Sequence, residues 1–203
     1  MKYKIILASN SPRRRELLAG LDINFEVKVI DGIDESFPDD LDAYQVAEYI
    51  AQKKAEAYHS MLEEGKDLLI LTADTVVIAP TAGEQNDQDG LGVILGKPKN
   101  ADDAVGMLKM LSGKTHHVVT GVCLTTREQQ RKFSVSTEVS FKEFSDWEIN
   151  YYITHYKPFD KAGAYGIQEW IGYIGCTGLN GSYYNVMGLP VQRIYEEMLK
   201  MSE

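Results

Sequence analysis

The order of elements along the chain predicts an α/β protein built on a mixed sheet. A buried strand at the N-terminus is followed by a short polar turn and a helix, and strands and helices continue to alternate through the first half. Two long segments, near residues 115–126 and 132–144, have the alternating apolar residues that are typical of paired antiparallel strands. Antiparallel strands added to strand–helix units produce a sheet of mixed direction.

Composition favours a single globular domain spanning residues 1–203. The chain is 44% hydrophobic and 25% charged, which is ordinary for a domain with its own core. Its formal net charge of −9 disfavours binding to nucleic acid or to anionic membranes, because counterion release rewards positive surfaces. Any phosphate-binding site is therefore expected to be local.

Cysteine usage and the N-terminus indicate a cytoplasmic protein. Cys123 and Cys176 are far apart and have no CxxC or Cys/His ligand spacing, so neither a zinc site nor a redox pair is indicated. The apolar run at residues 5–8 is too short for the core of a secretory signal, and no segment approaches the length of a membrane span.

The first third of the chain predicts a strand, a short helix and a long helix. Residues 2–8 form the strand, and residues 13–19 form a helix with Ser11 as its N-cap and a proline at the first helical position. Apolar residues then recur at helical spacing from about 42 to 64, which predicts one long amphipathic helix that ends at Gly65.

The middle of the chain predicts two strand segments around a polar motif. Residues 67–72 are a Leu/Ile-rich run of buried-strand type, and the strand resumes at 76–79 after the motif at 73–75. The segment from about 80 to 92 is polar and rich in turn-forming residues, which predicts a mobile surface loop or the tip of a hairpin.

Capping signals place the remaining helices. Asn100 caps a helix that runs to residue 111, and residues 145–148 carry the capping-box signature that opens another helix. Glycines recur every three residues from 172 to 181 with strand-like residues between them, which predicts a hairpin. Pro190 opens a final helix.

Three consecutive arginines, at positions 13–15, lie in the first turn of the first predicted helix. The helix dipole disfavours cations there by roughly 0.3–1 kcal/mol each. A helix N-terminus presents free N–H groups to anions, and a guanidinium binds two phosphate oxygens at once, so together they would form a phosphate site. The alternative is a basic turn in solvent.

Two carboxylates are candidates for chemistry. Asp74 follows a buried strand, at a position where open α/β folds place catalytic groups, and it is suited to binding a divalent metal or activating water. The alternative is an aspartate that caps a turn at the end of the strand. Glu35 lies within Asp34-Glu35-Ser36 and is equally open to both interpretations.

Two lysines are candidates for the same site. Lys54 lies on the edge of the apolar stripe of its helix, whereas Lys53 points farther away. A lysine at this edge either extends along the surface to solvent or reaches into a site. Lys97 lies between a glycine and a proline in a tight turn that would hold its ammonium group in place, and the alternative is an exposed turn lysine.

The four histidines have no spacing typical of metal ligands. His116 and His117 are neighbours in a predicted strand, where alternate faces separate the two rings. We therefore expect structural or surface roles for them.

Eight short segments, in this order, resemble the Maf proteins, a family of nucleotide pyrophosphatases related to the inosine triphosphate pyrophosphatases. The resemblance spans nearly the whole chain. The segments are LASNSPRRRELL (7–18), DES (34–36), KKA (53–55), ADTVV (73–77), GKP (96–98), LSGKTHHVVTGV (111–122), KAGAYGIQ (161–168) and GSYYNVMGLP (181–190).

The resemblance implies a twisted mixed sheet flanked by helices, with two lobes enclosing an active-site cleft, and commonly a homodimer. It implies hydrolysis of a nucleoside triphosphate to the monophosphate and pyrophosphate with a divalent metal cation, Mg²⁺ or Mn²⁺. Asp74 matches the family's catalytic residue and, with Glu35, its metal ligands, whereas Arg15 matches no functional position. The positions that match phosphate-binding residues are Ser9, Arg13, Arg14, Lys54 and Lys97.

Three matched positions divide the family by substrate. The branch that acts on dTTP and UTP has the residues found here as Arg13, Thr75 and Gln168, whereas the branch that acts on 7-methyl-GTP has an aromatic residue, glutamine and glutamate. The Gln168 amide carries both a donor and an acceptor, which matches the O4 and N3–H edge of uracil or thymine. The resemblance therefore implies dTTP and UTP as substrates, with modified pyrimidine nucleotides as further candidates.

Two alternatives remain at this point. One is a nucleotide-binding regulator of cell division with little turnover, and the other is a 7-methyl-GTP or broad house-cleaning pyrophosphatase. The intact carboxylates and lysines favour catalysis over the first, and the three specificity positions argue against the second.

Overall fold

The computed structural model describes residues 2–64, 67–81 and 92–202, which form a seven-stranded mixed sheet flanked by helices. No helix in these ranges is long and apolar enough to cross a bilayer. A short 3-10 turn lies at Ala162–Ala164. The strands are β1 Lys4–Leu7, β2 Phe25–Val27, β3 Leu68–Ala79, β4 Val93–Leu95, β5 Thr115–Thr125, β6 Gln130–Phe141 and β7 Cys176–Asn180. The helices are α1 Pro12–Ala19, α2 Ala43–Glu56, α3 His59–Glu64, α4 Ala101–Leu111, α5 Asp146–Tyr156, α6 Trp170–Gly175, α7 Tyr183–Met187 and α8 Val191–Ser202.

The strand order is β2-β1-β3-β5-β6-β7, with β4 also paired to β3. β1 is parallel to β2 and β3, and the other strand pairs are antiparallel. This confirms the mixed sheet, and β5 and β6 are the antiparallel pair that the alternation of apolar residues predicts.

One edge of β3 changes partner along its length. On that edge β1 pairs with residues 68–71 and β4 with residues 77–79, while β5 covers the other edge over residues 70–78. Within the described part of the chain, residues 72–76 have no strand beside them on the first edge. The sheet therefore has a gap there, and Asp74 lies in the middle of a continuous strand rather than after its end, as the sequence had suggested.

Two core clusters cover one face of the sheet at opposite ends of β3. The odd-numbered residues at 69–73 pack with α1 and α8, and those at 77 and 79 pack with α4 and α5. On the opposite face, α2 and α3 pack on the even-numbered residues. The two clusters form the two lobes, and the gap at residues 72–76 lies between them.

The long helix expected over residues 42–64 is wrong, because two helices, α2 and α3, occupy this range. The break falls at Tyr58, which is buried. Its hydroxyl donates to the Lys28 carbonyl at 3.0 Å and accepts from the Ile30 N–H at 3.0 Å. Tertiary contacts thus override the helical periodicity. Gly65 and most of the predicted loop at 80–92 lie outside the described residues.

The hairpin expected over residues 172–181 is also wrong, because α6 occupies its first part and only β7 is a strand. The glycines there allow close packing. A Cβ on Gly172 would lie 1.9 Å from the Ile167 carbonyl oxygen, and one on Gly175 would lie 2.3 Å from the Phe144 ring. The helix caps at Ser11, Asn100 and Ser145 are as predicted.

Candidate active site

A cleft of about 660 Å³ opens at the gap in the sheet. This volume is in the usual range for small-molecule sites. Its walls come from α2 and β3, the turn before α1, the loop after β2, the turn after β4, the segment after α5 and the end of α7. Every site residue predicted from the sequence lines it, namely Ser9, Arg13, Arg14, Glu35, Lys54, Asp74, Thr75, Lys97 and Gln168.

Lys54 joins the two predicted carboxylates at the base of the cleft. Its Nζ lies 2.7 Å from Asp74 Oδ1 and 2.9 Å from Glu35 Oε1. Lys54 and Asp74 are both largely buried, with side chains 14% exposed, whereas Glu35 is 53% exposed. The lysine at the edge of the apolar stripe therefore reaches into the site and does not extend to solvent.

Close packing of α2 on the sheet brings Lys54 to this position. Gly121 is opposite Asp74 in the β3–β5 register, and a Cβ there would lie 2.2 Å from the Ala47 carbonyl carbon of α2. The hydroxyl of Thr72 also donates to the Ala51 carbonyl at 2.6 Å. The helix thus sits directly on the strands that carry the carboxylate.

The loop that carries Glu35 is fixed to α2 by Lys53. The Lys53 ammonium donates to Asp34 Oδ2 at 2.7 Å and to the Ser36 carbonyl at 2.8 Å, so it holds the residues on both sides of Glu35. Burial raises the pKa of Glu35, but the hydrogen bond from Lys54 and the charges of Lys54, Lys97 and Arg14 outweigh it and lower this pKa overall. Sequence reasoning found no role for Lys53.

Arg14 makes three hydrogen bonds to the protein. Its Nε donates to the Gly188 carbonyl at 2.8 Å, one Nη to the Ala73 carbonyl at 2.7 Å and the other Nη to Thr75 Oγ1 at 3.0 Å. The Ala73 carbonyl belongs to the part of β3 beside the gap, so Arg14 supplies a donor that a neighbouring strand would otherwise provide. These contacts indicate a structural role, and direct binding of phosphate by Arg14 stays a prediction.

Arg13 extends across the cleft to the other lobe. One Nη donates to Asp160 Oδ2 at 2.8 Å, and its side chain is 22% exposed. Its other N–H groups have no partner among the described residues, and the residue lines the cleft. Arg15, by contrast, is exposed, as the lack of a matched role suggested.

Thr75 and Gln168 differ in how free their polar groups are. The Thr120 hydroxyl donates to the Asn185 carbonyl, so the Thr75 hydroxyl donates to Thr120 at 2.9 Å while it accepts from Arg14. The Thr75 hydroxyl proton is therefore not free to bind a ligand. Gln168 Oε1, however, is buried without a hydrogen-bond partner in the described part of the chain. An unsatisfied buried acceptor beside a cleft indicates a group that lacks its partner in the ligand-free structure.

Lys97 and Ser9 complete the lining. Lys97 makes no ion pair within residues 2–64, 67–81 and 92–202, and its turn is anchored by a hydrogen bond from the Gly163 N–H to the Gly96 carbonyl at 3.1 Å. The Ser9 hydroxyl accepts from the Ser11 N–H at 3.2 Å just ahead of α1. Both residues line the same cleft as Asp74.

The two adjacent histidines lie on opposite faces, as expected. His116 is buried against Phe141, and its Nε2 is 2.8 Å from the Tyr165 hydroxyl. Burial, together with the charge of His117, lowers the pKa of His116 to about 3, so this ring is neutral at physiological pH. His117 packs against Tyr44 on the other face.

Cations on the cleft walls and two carboxylates at its base define an α/β protein with a candidate site for a polyphosphate anion. The chain belongs to the Maf-like protein family, whose model matches residues 4–201. The resemblance seen in the eight sequence segments is thereby confirmed.

Similar proteins cover nearly all of the chain. A protein of Phocaeicola vulgatus named dTTP/UTP pyrophosphatase is 59% identical over 200 residues, which are 98% of this chain and 97% of that protein. Proteins with the same name from Parabacteroides distasonis and Porphyromonas gingivalis are 54% and 52% identical, over 97% and 100% of this chain and 95% and 96% of theirs. A nucleoside-triphosphatase / dITP/XTP pyrophosphatase structure from Mycobacterium abscessus has a TM-score of 0.42 and 15% identity, covering 98% of this chain and 93% of that one.

Proposed function

We propose that this chain is a nucleoside triphosphate pyrophosphatase that hydrolyses dTTP and UTP to the monophosphate and pyrophosphate. The observation that carries this function is the Lys54 ammonium joined to both Asp74 and Glu35 at the base of a cationic cleft. Relatives at 52–59% identity over almost the full chain carry the name of this activity. Modified pyrimidine nucleotides are additional candidate substrates.

In the reaction, water attacks the α-phosphorus, and the anhydride bond between the α- and β-phosphates breaks. Asp74 orients this water and accepts its proton, because it is the carboxylate fixed on the rigid central strand. Lys54, Lys97 and Arg13 neutralise the charge of the triphosphate and of the departing pyrophosphate. Ser9 adds a hydrogen bond from its hydroxyl to a phosphate oxygen, and the positive end of the α1 dipole favours the anionic ligand.

The same carboxylates suit a divalent cation. Asp74 and Glu35 already share one ammonium group, so their oxygens are close enough to share a metal ion. The described residues contain no cluster of three or more metal-ligating side chains. Two carboxylates are nevertheless enough for Mg²⁺ or Mn²⁺, because Mg²⁺ completes its coordination shell with substrate phosphates and water. Such an ion, when bound, neutralises phosphate charge and acidifies bound water.

Base choice is assigned to Arg13, Thr75 and Gln168. The unpartnered Oε1 of Gln168 is an acceptor for the N3–H of uracil or thymine, and its amide N–H₂ is a donor for O4. A cytosine ring has an acceptor at N3 and an amino group at C4, so it would pair with this amide only if the amide oxygen and nitrogen exchanged places. Thr75 acts on this site through Arg14, to which it is hydrogen-bonded.

The Asp74→Asn substitution tests the catalytic role. We expect kcat/KM for dTTP with Mg²⁺ to fall by about 10²–10⁴-fold, the usual contribution of a general base, while circular dichroism shows an intact fold. Asp102→Asn, the same change on the exposed first turn of α4, is the matched control and should keep full activity. An Asp74→Asn enzyme with more than about a tenth of wild-type turnover would refute the catalytic role of Asp74.

A nucleotide panel tests the substrate class. Pyrophosphate release is measured for dTTP, UTP, CTP and 7-methyl-GTP with Mg²⁺, and dTTP and UTP should be the preferred substrates. Preference for 7-methyl-GTP would refute the base assignment. Release of no pyrophosphate from any of them would favour the nucleotide-binding regulator instead. The expectations of a cytoplasmic location, a homodimer and no nucleic-acid partner stay predictions, the last supported by the net charge of −9.

A further inference from the structure

A chain of charged contacts leads from Arg13 through Asp160 and Lys161, which also line the cleft, into the second lobe. Asp160 accepts from Arg13 with one oxygen, and its other oxygen accepts from Lys161 Nζ at 2.7 Å. The Lys161 ammonium also lies 3.2 Å from Glu169 Oε1. The other oxygen of Glu169 accepts from the Tyr152 hydroxyl. Two cations, two anions and one phenol therefore form a single neutral relay.

The inner part of this relay is buried and well defined. Tyr152 is fully buried, and the Lys161 side chain is only 10% exposed. Burial and the neighbouring Glu169 raise the pKa of Tyr152, so its hydroxyl remains a donor. Burial raises the pKa of Asp160, but hydrogen bonds from Lys161 and Arg13 outweigh it and hold this pKa at about 2, so the carboxylate stays charged.

The relay also holds the backbone on both sides of Gln168. The Gly166 N–H donates to the Tyr152 hydroxyl at 3.0 Å, and Glu169 directly follows Gln168. A Cβ on Gly166 would lie 2.9 Å from Glu169 Cδ and 3.1 Å from Lys161 Cε, so the backbone passes directly against the ion pair. The segment that presents the Gln168 amide is thus attached to the same network that anchors Arg13.

We propose that Asp160, Lys161, Glu169 and Tyr152 are positioning residues that fix Arg13 and Gln168 relative to each other before a nucleotide binds. Preorganised contacts lower the entropic cost of binding and sharpen the choice between ligands. The proposal rests on the proposed function, since it concerns base choice in that site. It gives Tyr152 and Glu169 a role although neither is among the residues lining the cleft.

The test measures binding, so it does not depend on turnover. Calorimetry gives the Kd of two non-hydrolysable probes, α,β-imido-UTP and α,β-imido-CTP, whose phosphates are identical. Tyr152→Phe removes one oxygen atom and with it the hydrogen bonds to Glu169 and Gly166. We expect the preference for the UTP probe to fall by about fivefold, the size of effect that one hydrogen bond produces.

Tyr156→Phe is the matched control, because Tyr156 is also on α5 but its hydroxyl has no hydrogen bond within the described residues. It should keep the wild-type preference. The double variant Asp160→Asn/Tyr152→Phe should match the more impaired single variant, because both changes interrupt one relay.

Two results distinguish failure of the relay from failure of the proposed base choice. A wild-type preference for the UTP probe that Tyr152→Phe leaves unchanged, or effects that add in the double variant, would overturn the relay alone. Equal binding of both probes by the wild-type protein would overturn the base choice in the proposed function and the relay with it.

Discussion

Replacing Arg14 tests whether this residue holds the protein together or binds phosphate. Its three hydrogen bonds join α1 to the Ala73 carbonyl of β3, to Thr75 and to the Gly188 carbonyl. Hydrogen bonds to a charged group contribute about 1.5–3 kcal/mol each, and partial exposure reduces this, so we expect Arg14→Met to lower the free energy of unfolding by roughly 3–5 kcal/mol. That is a large share of the ~5–15 kcal/mol of a typical domain.

Urea denaturation followed by far-UV circular dichroism measures this loss. The control is Arg15→Met, because Arg15 is the next residue of α1, is exposed and has no ion pair among the described residues. It should change the free energy of unfolding by no more than about 0.5 kcal/mol. If Arg14→Met kept its stability to within about 1 kcal/mol and instead raised KM for dTTP sharply, the structural role would be refuted in favour of direct phosphate binding.

Two further predictions concern packing and pH. Gly121→Ala would push α2 off the sheet and lower stability by about 1–3 kcal/mol or more, together with activity, whereas Gly106→Ala, with nothing within 4 Å of its Cβ, should be neutral or stabilising in thermal unfolding. Equal melting temperatures for the two variants would contradict this. Asp160 has a lowered pKa when folded, so its contribution to stability is present above pH 4 and is lost as pH falls towards 2. Because its side chain is 57% exposed, Asp160→Asn should cost at most about 1 kcal/mol at pH 6. It should cost roughly a third of that at pH 2.5, where the folded carboxylate with its pKa of about 2 is still largely ionised, and an equal cost at both would argue against the ion pair.

The sequence correctly predicted the helix starts that are stabilised by residues close to them in the chain. The N-cap at Ser11 and the capping box at Ser145 are satisfied by atoms within three residues, so the sequence alone indicates where α1 and α5 begin. The two wrong predictions have distant causes. Tyr58 breaks a helix because its hydroxyl reaches residues about 30 positions earlier, and Gly175 is required in α6 because the Phe144 ring occupies the space that a side chain would need.

The residues of the candidate site also differ in whether the sequence alone could identify their roles. The carboxylates and lysines of the cleft were predicted because their types and motif positions match a known family. The partner of Arg13, however, is 147 residues away, and no spacing in the sequence links it to Asp160. The role of Lys53 was not predicted, because only the fold shows that the loop carrying Glu35 lies against α2.

The gap in the sheet explains how a buried strand can present the proposed catalytic carboxylate, Asp74, to the cleft. An unpaired strand edge leaves carbonyl groups without donors, which is costly inside a protein. Arg14 removes this cost at Ala73 with a side chain, so no strand has to occupy the space beside residues 72–76. Asp74 is therefore held by the β3–β5 ladder on one edge and remains open to the cleft on the other. A rigid position and access to the cleft are combined in one residue because the sheet is completed there by an arginine and not by a strand.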